Sequence, residues 1–359
     1  MLSRSVRLRA VSGLVLALLV SGCSNSRHER TETYYLVASN IKLPYWQAAL
    51  SGLRRAAGEL KVNGEMVGPA TYNAKEQLEI FRDIVSKKPA GIMISAADPE
   101  LMKVEINAAI AAGIPVITLD SDAPGSQRLF FIGTNNYQAG ITGGKLLAQR
   151  MNRKGNIVVF TIHAQDNLAE RLRGYEAALA DTGIKVLQQV DIRGDPTLAF
   201  DKTVEIIESG KMNVDVFVCL EATAGKEVAE VLARRKIQGK TIVAMDTDEG
   251  TLEWIEKGVI AATVAQKPFT MAYYGLRVLD DLHHNKPAKL DTNWSQDLQS
   301  LLPSVIDTGS FLIDGSNVGA MRKASGGNPV RTPEALAWMN REWLRAPMPG
   351  SGPALPLNR

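Results

Sequence analysis

Short apolar runs alternate with amphipathic segments through most of the chain, and this pattern predicts a protein of alternating β-strands and α-helices. Unbroken β-branched runs are typical of strands that are buried on both faces of a parallel sheet. In the first half, the predicted strands are Tyr35–Ser39, Met66–Pro69, Gly91–Ser95 and Val116–Asp120, and the predicted helices are Trp46–Leu60, Lys75–Lys87 and Pro99–Ala112. In the second half, the predicted strands are Asn156–Thr161, Lys185–Asp191, Val214–Leu220 and Thr241–Asp246, and the predicted helices are Ala169–Asp181, Pro196–Glu208 and Ala224–Arg235. The repeated order predicts an α/β fold of two doubly wound, Rossmann-like lobes.

The two halves also agree in register. Gly52 in the first half corresponds to Gly174 in the second, and about 70 residues separate each glycine from the aspartate that ends a strand, Asp120 or Asp246. We expect each glycine to let the first helix of its lobe lie close to the sheet. After the second aspartate the pattern predicts a helix over Gly250–Lys257, a strand over Ala261–Gln266 and a helix over Phe269–Leu282. Chain segments near residues 136, 266 and 298 are expected to cross between the lobes, and several crossings form a hinge.

The N-terminus has the features of a secretion signal. Arg4, Arg7 and Arg9 precede the apolar stretch Ala10–Val20, which is short for a membrane span, and small residues lead to Cys23. The sequence therefore predicts a lipoprotein signal peptide over residues 1–22, a lipid on Cys23 and a tether over residues 23–33. An ordinary signal peptide that ends near a cysteine is the alternative.

Composition and charge exclude several classes of protein. Cys219 is the second of two cysteines, so a lipidated Cys23 would leave no pair for a disulfide, and the fold must depend on its core. The net charge is only +3 with no basic arm, which argues against a nucleic-acid partner.

We expect an N-terminal lobe of residues 34–136 and 267–297, a C-terminal lobe of residues 137–266 and 298–325, and a partly disordered extension over residues 326–359.

The chain offers no motif of an enzyme, a metal centre or a cofactor site. His28 and the pair His283-His284 are interpreted as surface residues, and Cys219 as a buried apolar residue. The segment Gly143–Lys145 lacks the remaining residues of a phosphate-binding loop and is interpreted as the opening of a helix. We therefore predict neither catalysis nor a cofactor.

Polar and aromatic residues instead gather at the predicted carboxyl ends of strands, where open α/β folds bind ligands. The candidates are Ser39, Tyr45, Trp46, Asp120 and Ser121 in the first lobe and Arg171, Glu221, Asp246 and Gln266 in the second. Aromatic faces stack on the C–H side of a sugar ring, and charged groups bind its hydroxyls. Each of these residues also has an alternative interpretation. The aspartates could cap helices, the two aromatic residues could form a hydrophobic staple, and Arg171 could be a surface charge.

With these motifs, Tyr34–Lys323 resembles the ribose-binding-protein family of sugar-binding components of ABC transporters. The resemblance rests on Ser39 with Pro44–Trp46, on Pro115–Asp120, on Glu170-Arg171 before Gly174-Tyr175, on Asp246 and on Ala261–Gln266. It implies a type I periplasmic binding protein fold. It also implies that Tyr45 and Trp46 stack on the sugar ring and that Asp120, Arg171, Asp246 and Gln266 bind its hydroxyls.

Departures from the family pattern argue against ribose itself. Leu43, Ser95, Ser121, Leu220 and Met245 stand where a ribose binder has Asn, Asn, Arg, Asn and Phe. We expect Glu221 and Asp122 to supply contacts to a different sugar or polyol.

The resemblance implies a lipid-anchored, monomeric protein of the bacterial envelope that hands its ligand to a membrane permease. A sensory protein that signals to a receptor kinase or chemoreceptor is the alternative. A repressor would need an N-terminal DNA-binding domain in place of the secretion signal.

Overall fold

A computed structural model of the protein describes residues 28–285, 290 and 302–324. The predicted signal peptide, Cys23 and the predicted extension over 326–359 lie outside the described residues. Of the helices in the described part, none has the length and apolar character that crossing a bilayer requires.

Two six-stranded sheets with flanking helices form two lobes. The first contains β1 Thr33–Val37, α1 Pro44–Leu60, β2 Asn63–Val67, α2 Ala74–Ser86, β3 Gly91–Ile94, α3 Pro99–Ala111, β4 Val116–Leu119 and β5 Phe131–Gly133. The second contains α4 Asn136–Arg150, β6 Lys154–Thr161, α5 Asp166–Leu179, β7 Gly183–Asp191, α6 Pro196–Ser209, β8 Val216–Cys219, α7 Ala224–Arg234, β9 Thr241–Met245, α8 Glu249–Glu256 and β10 Ala262–Ala265. The chain continues with α9 Pro268–His284, β11 Val305–Asp307, β12 Phe311–Asp314 and α10 Val318–Ala324.

Strand order is equivalent in the two lobes, and the sheets differ in the direction of the last strand. The first sheet has the order β11-β5-β4-β3-β1-β2 and is parallel throughout. The second has the order β12-β10-β9-β8-β6-β7, and β12 alone runs antiparallel to its neighbour. Strands β1, β3, β4, β8, β9 and β10 are almost entirely buried, as unbroken apolar runs predict. Each lobe therefore has its own core.

The chain crosses between the lobes after β5, after β10 and between β11 and β12. Helix α9 returns to the first lobe, where it packs on α1. Strand β11 pairs with β5 in the first sheet. The sequence pattern had instead predicted that residues 298–325 belong to the second lobe. The third crossing thus lies at about residues 308–310, because β11 completes one sheet and β12 the other.

Gly52 and Gly174 were expected to let a helix lie close to its sheet. Each glycine instead lies where two helices are in contact. A Cβ at Gly52 would lie 2.0 Å from the carbonyl oxygen of Phe269 in α9, and a Cβ at Gly174 would lie 2.1 Å from that of Tyr137 in α4. No side chain larger than hydrogen fits at either contact, so glycine sets the spacing of α1 with α9 and of α5 with α4.

Helix α4 was missed because it is rich in glycine. Gly143 and Gly144 lie in the middle of this helix, so the interpretation of Gly143–Lys145 as a helix opening is wrong. Both glycines are buried, and a Cβ at Gly143 would meet the Tyr175 hydroxyl at 2.0 Å. The two glycines allow α4 to approach α5, which carries Arg171.

Candidate functional site

A cavity of about 60 Å³ lies between the lobes at the carboxyl ends of both sheets. Eight of the nine predicted binding residues border it: Ser39, Tyr45, Trp46, Asp120, Arg171, Glu221, Asp246 and Gln266. We call this cavity the cleft. The fold thus brings together side chains that are up to 227 positions apart in the sequence, from Ser39 to Gln266.

Asp120 directly follows β4 and has left-handed backbone geometry, with a φ of 67°. An aspartate tolerates this conformation better than most residues, and the turn ends the strand at the cleft. Tyr45 Oη donates a hydrogen bond to Asp120 Oδ1 (2.5 Å), and Ser95 Oγ donates to Oδ2 (3.3 Å). Burial raises the pKa of Asp120, although both hydrogen bonds and the charge of Arg171 oppose this rise.

Asp246 is the counterpart of Asp120 in the second lobe. It follows β9 with a φ of 68°, and its backbone N–H bonds to the next strand, as does that of Asp120. Gln266 Nε2 donates a hydrogen bond to Asp246 Oδ1 at 3.0 Å. Burial raises the pKa of Asp246 to about 7 against the opposing effect of Arg171, and the charges of Asp120 and Glu221 add to the rise. The two predicted carboxylates therefore share one electrostatic environment across the cleft.

Arg171 lies in α5, and only 1 % of it is exposed. Its Nη1 donates to the carbonyl oxygen of Leu220, and its Nη2 donates to Asn136 Oδ1 (2.5 Å) and Gln266 Oε1 (3.3 Å). Its Nε is buried and has no hydrogen-bond partner among the described residues. The alternative of a surface charge is therefore wrong.

Two asparagines complete the surroundings of this arginine, and neither was predicted. Asn136 opens α4 and orients the guanidinium through its side-chain oxygen. Asn167 borders the cleft, and its Oδ1 is buried with no hydrogen-bond partner within the described chain. Asn167 precedes Arg171 by one helical turn, so both side chains lie on the same face of α5.

The aromatic pair lies at the start of α1. The rings of Tyr45 and Trp46 meet edge to face, with centroids 5.2 Å apart and planes at 81°. Trp46 is 2 % exposed and borders the cleft, as does Tyr45. Both rings are thus available as one wall of the cleft.

The remaining predicted residues differ in what their side chains do. Ser39 borders the cleft at the end of the first strand. Glu221 also borders it, but its carboxylate accepts hydrogen bonds from the backbone N–H groups of Thr223 (2.7 Å) and Ala224 (2.6 Å) at the start of α7. Ser121 is fully buried and does not border the cleft.

Asp122 does not supply a contact to the cleft. Its carboxylate is paired with the guanidinium of Arg128 and accepts a hydrogen bond from Thr118 Oγ1 (2.5 Å). The expectation that Asp122 replaces a lost sugar contact is therefore wrong, because the carboxylate already neutralises a charge within its own lobe.

Three of the four histidines, His28, His283 and His284, lie elsewhere in the first lobe. His28, Asp280 and His284 bring potential metal ligands within 4.8 Å of one another, the one such group in the described residues. Asp280 Oδ2 and His28 Nε2 are 2.8 Å apart, and His284 Nε2 lies 3.1 Å from Glu32 Oε1. The side chain of His284 is 14 % exposed, so its interpretation as a surface residue is wrong. None of these residues borders the cleft.

Comparison with known proteins identifies the family. The sequence matches the family model of the periplasmic binding protein domain over residues 34–287, more than two thirds of the chain. The chain belongs to this family. The resemblance and the predicted fold are confirmed, and membership implies a location outside the cytoplasm.

Three sugar-binding proteins align with most of the chain. A sugar-binding protein of a sugar ABC transporter from Bacillus halodurans is 34 % identical, with a TM-score of 0.70 over 80 % of this chain and 99 % of that one. An arabinose-binding protein from Geobacillus stearothermophilus is 32 % identical, with a TM-score of 0.67 over 81 % and 99 %. The D-allose-binding periplasmic protein of Escherichia coli is 23 % identical over 286 residues, 76 % of this chain and 90 % of that protein.

Proposed function

We propose that this protein is the substrate-binding component of an ABC importer, which captures a monosaccharide or related polyol in the cleft and delivers it to a membrane permease. The observation that carries the proposal is a pair of buried groups that no described residue satisfies, Asn167 Oδ1 and Arg171 Nε. One accepts a hydrogen bond and the other donates one. Because a hydroxyl does both, a polyhydroxylated ligand satisfies the two groups together.

Further contacts follow from the chemistry of the cleft. Asp120 and Asp246 accept hydrogen bonds from ligand hydroxyls, and Gln266 and Ser39 add neutral polar contacts. Tyr45 and Trp46 present carbon-rich surfaces to the C–H face of a sugar ring. Glu221 is also a proposed ligand contact. Its hydrogen bonds to backbone N–H groups at the start of α7 limit the binding energy that it can contribute.

The same unsatisfied groups couple binding to closure. A buried polar group without a partner costs about 1–3 kcal/mol, so closing the lobes on an empty cleft is penalised. A sugar removes that penalty in the closed form alone, and this difference shifts the equilibrium toward closure. The closed, loaded form would then be the one presented to the permease.

The proposal extends to the anchor and the partners. Lipidation of Cys23 would tether a monomeric binding protein at the membrane surface beside its permease. The compared protein from Bacillus halodurans is named as part of a sugar ABC transporter, which favours import over the sensory alternative. We propose no catalytic step.

A thermal-shift screen of purified protein against pentoses, hexoses and polyols tests the proposal. A ligand at 100 times its Kd stabilises the folded state by about 2.7 kcal/mol. The absence of a shift with every sugar and polyol would contradict the proposed function.

Asn167→Leu then tests the site. We expect it to weaken sugar binding by tenfold or more without loss of stability in the empty protein, because it removes an acceptor that has no partner. Arg173→Met is the matched control, since Arg173 lies on the same helix with an exposed side chain paired to Glu170. Unchanged affinity in Asn167→Leu would refute the contact.

A further inference from the structure

A second cavity of about 260 Å³ adjoins the cleft, and we call it the side chamber. It lies between the first turn of α1, the first turns of α9 and the segment Ala222–Lys226 with Thr247-Asp248 of the second lobe. Its volume is about four times that of the cleft.

The cleft and the side chamber share a boundary. Leu43, Tyr45, Ala222, Asp246 and Gln266 border both cavities. Two of these residues, Asp246 and Gln266, belong to the proposed sugar contacts. A ligand held by this pair therefore lies at the entrance of the side chamber.

The side chamber adds aromatic surface to the site. Phe269, Tyr273, Tyr274 and Phe311 contribute to its walls, beside the charged residues Lys226, Asp248 and Lys267. The rings of Phe269 and Tyr273 lie stacked, with centroids 6.2 Å apart and planes at 9°. Tyr274 is 52 % exposed, high for a large aromatic residue among those that the structure describes. Such walls suit a ring with an apolar face.

Volume limits what the cleft can hold. The cleft has a volume of about 60 Å³, less than a quarter of the 260 Å³ of the side chamber, so it offers room for one sugar ring at most. A second ring attached to that sugar would therefore extend into the side chamber.

We propose that the preferred ligand is a glycoside, with one sugar unit in the cleft and a second ring, either another sugar or an aromatic group, in the side chamber. This inference rests on the proposed function and specifies its substrate class. Phe269 and Leu43 contact the second ring, and Asp246 and Gln266 hold the sugar at the junction.

Calorimetry with the purified protein tests the proposal. For each sugar that binds in the thermal-shift screen, the free sugar, its methyl glycoside, its 4-nitrophenyl glycoside and a disaccharide are compared. We expect at least tenfold tighter binding of the nitrophenyl glycoside or the disaccharide than of the methyl glycoside. The tighter of the two identifies the second ring as aromatic or sugar.

Two variants locate the second ring. Phe269→Ala is expected to weaken binding of the two-ring ligand about tenfold while changing that of the free sugar less than twofold. Thr270→Phe narrows the side chamber and should have the same selective effect. Tyr137→Ala, which removes an exposed aromatic residue of α4 that borders neither cavity, is the control.

The outcomes separate the two proposals. Equal or tighter binding of the free sugar overturns the glycoside proposal and leaves the sugar-binding function intact. A loss of transport in Phe269→Ala with unchanged binding of all ligands would also overturn it, since the side chamber would then serve the permease. No binding of any sugar or glycoside overturns both.

Discussion

Replacing Asp246 by asparagine should remove much of the pH dependence of the empty protein's stability. Burial raises the pKa of Asp246 from 3.8 to about 7. The folded state therefore keeps a proton that the unfolded chain releases above pH 4, and stability falls as pH rises from about 4 to 7. At about 1.36 kcal/mol per pH unit, the loss reaches at most about 4 kcal/mol above pH 7.

Asparagine has the same shape as aspartic acid and can still accept the hydrogen bond from Gln266. We expect Asp246→Asn to match the wild-type free energy of unfolding near pH 4 and to exceed it by up to about 4 kcal/mol at pH 8. The pKa values of Asp120 and Glu221 are also raised, and both residues are present in the variant and in the wild type. The difference in unfolding free energy between the two proteins therefore isolates the contribution of the Asp246 carboxyl.

Urea unfolding at pH steps from 4 to 8.5 provides the measurement. The control is Asp195→Asn, since Asp195 caps α6 through Thr197, is exposed and does not itself border the cleft. A stability difference between Asp246→Asn and wild type that stays constant across this range would refute the reasoning, as would a destabilised variant at pH 8.

Three other substitutions test the helix packing and the carboxylate of the first lobe. Gly174→Ala should destabilise the protein by about 1–3 kcal/mol in urea unfolding, because its Cβ would lie 2.1 Å from a carbonyl oxygen of α4. Gly58→Ala, where nothing lies within 4 Å, should instead stabilise by up to about 1 kcal/mol, and equal effects would contradict the packing argument. Tyr45→Phe removes a hydrogen bond that lowers the pKa of Asp120, so carboxyl NMR titration should show that pKa higher than in wild type, and an unchanged value would rule out the bond.

Most of the fold could be predicted because parallel strands buried on both faces leave a strong pattern. The predicted β3 and β4 end one residue beyond the observed Gly91–Ile94 and Val116–Leu119. Strand β5 was missed because it has three residues, and β11 because two of its three residues are exposed and give no apolar run. Helix α4 was missed because its glycines have low helix propensity, and its packing on α5 overrides that preference.

The site was predictable where it follows from topology. A residue that ends a buried parallel strand must lie at the ligand edge, and this rule places Asp120 and Asp246. The rule cannot say whether a carboxylate at that edge faces a ligand, caps a helix or pairs with a cation. Glu221 bonds to the start of a helix, and Asp122 pairs with Arg128. Helical spacing from Arg171 could have found Asn167. Asn136 could not have been found, since only the packing of α4 on α5 brings it to the guanidinium.

The two lobes share a fold, but their matched carboxylates differ in hydrogen bonding and in pKa. Asp120 already accepts hydrogen bonds from Tyr45 and Ser95, so the first lobe presents a preorganised acceptor beside its aromatic wall. The second lobe carries both unsatisfied groups, Asn167 Oδ1 and Arg171 Nε, and the carboxyl whose pKa is near 7. On the proposed function, a sugar would gain most of its new hydrogen bonds from the second lobe. Ionisation of Asp246 would strengthen them, and affinity should therefore rise with pH through neutrality while the stability of the empty protein falls.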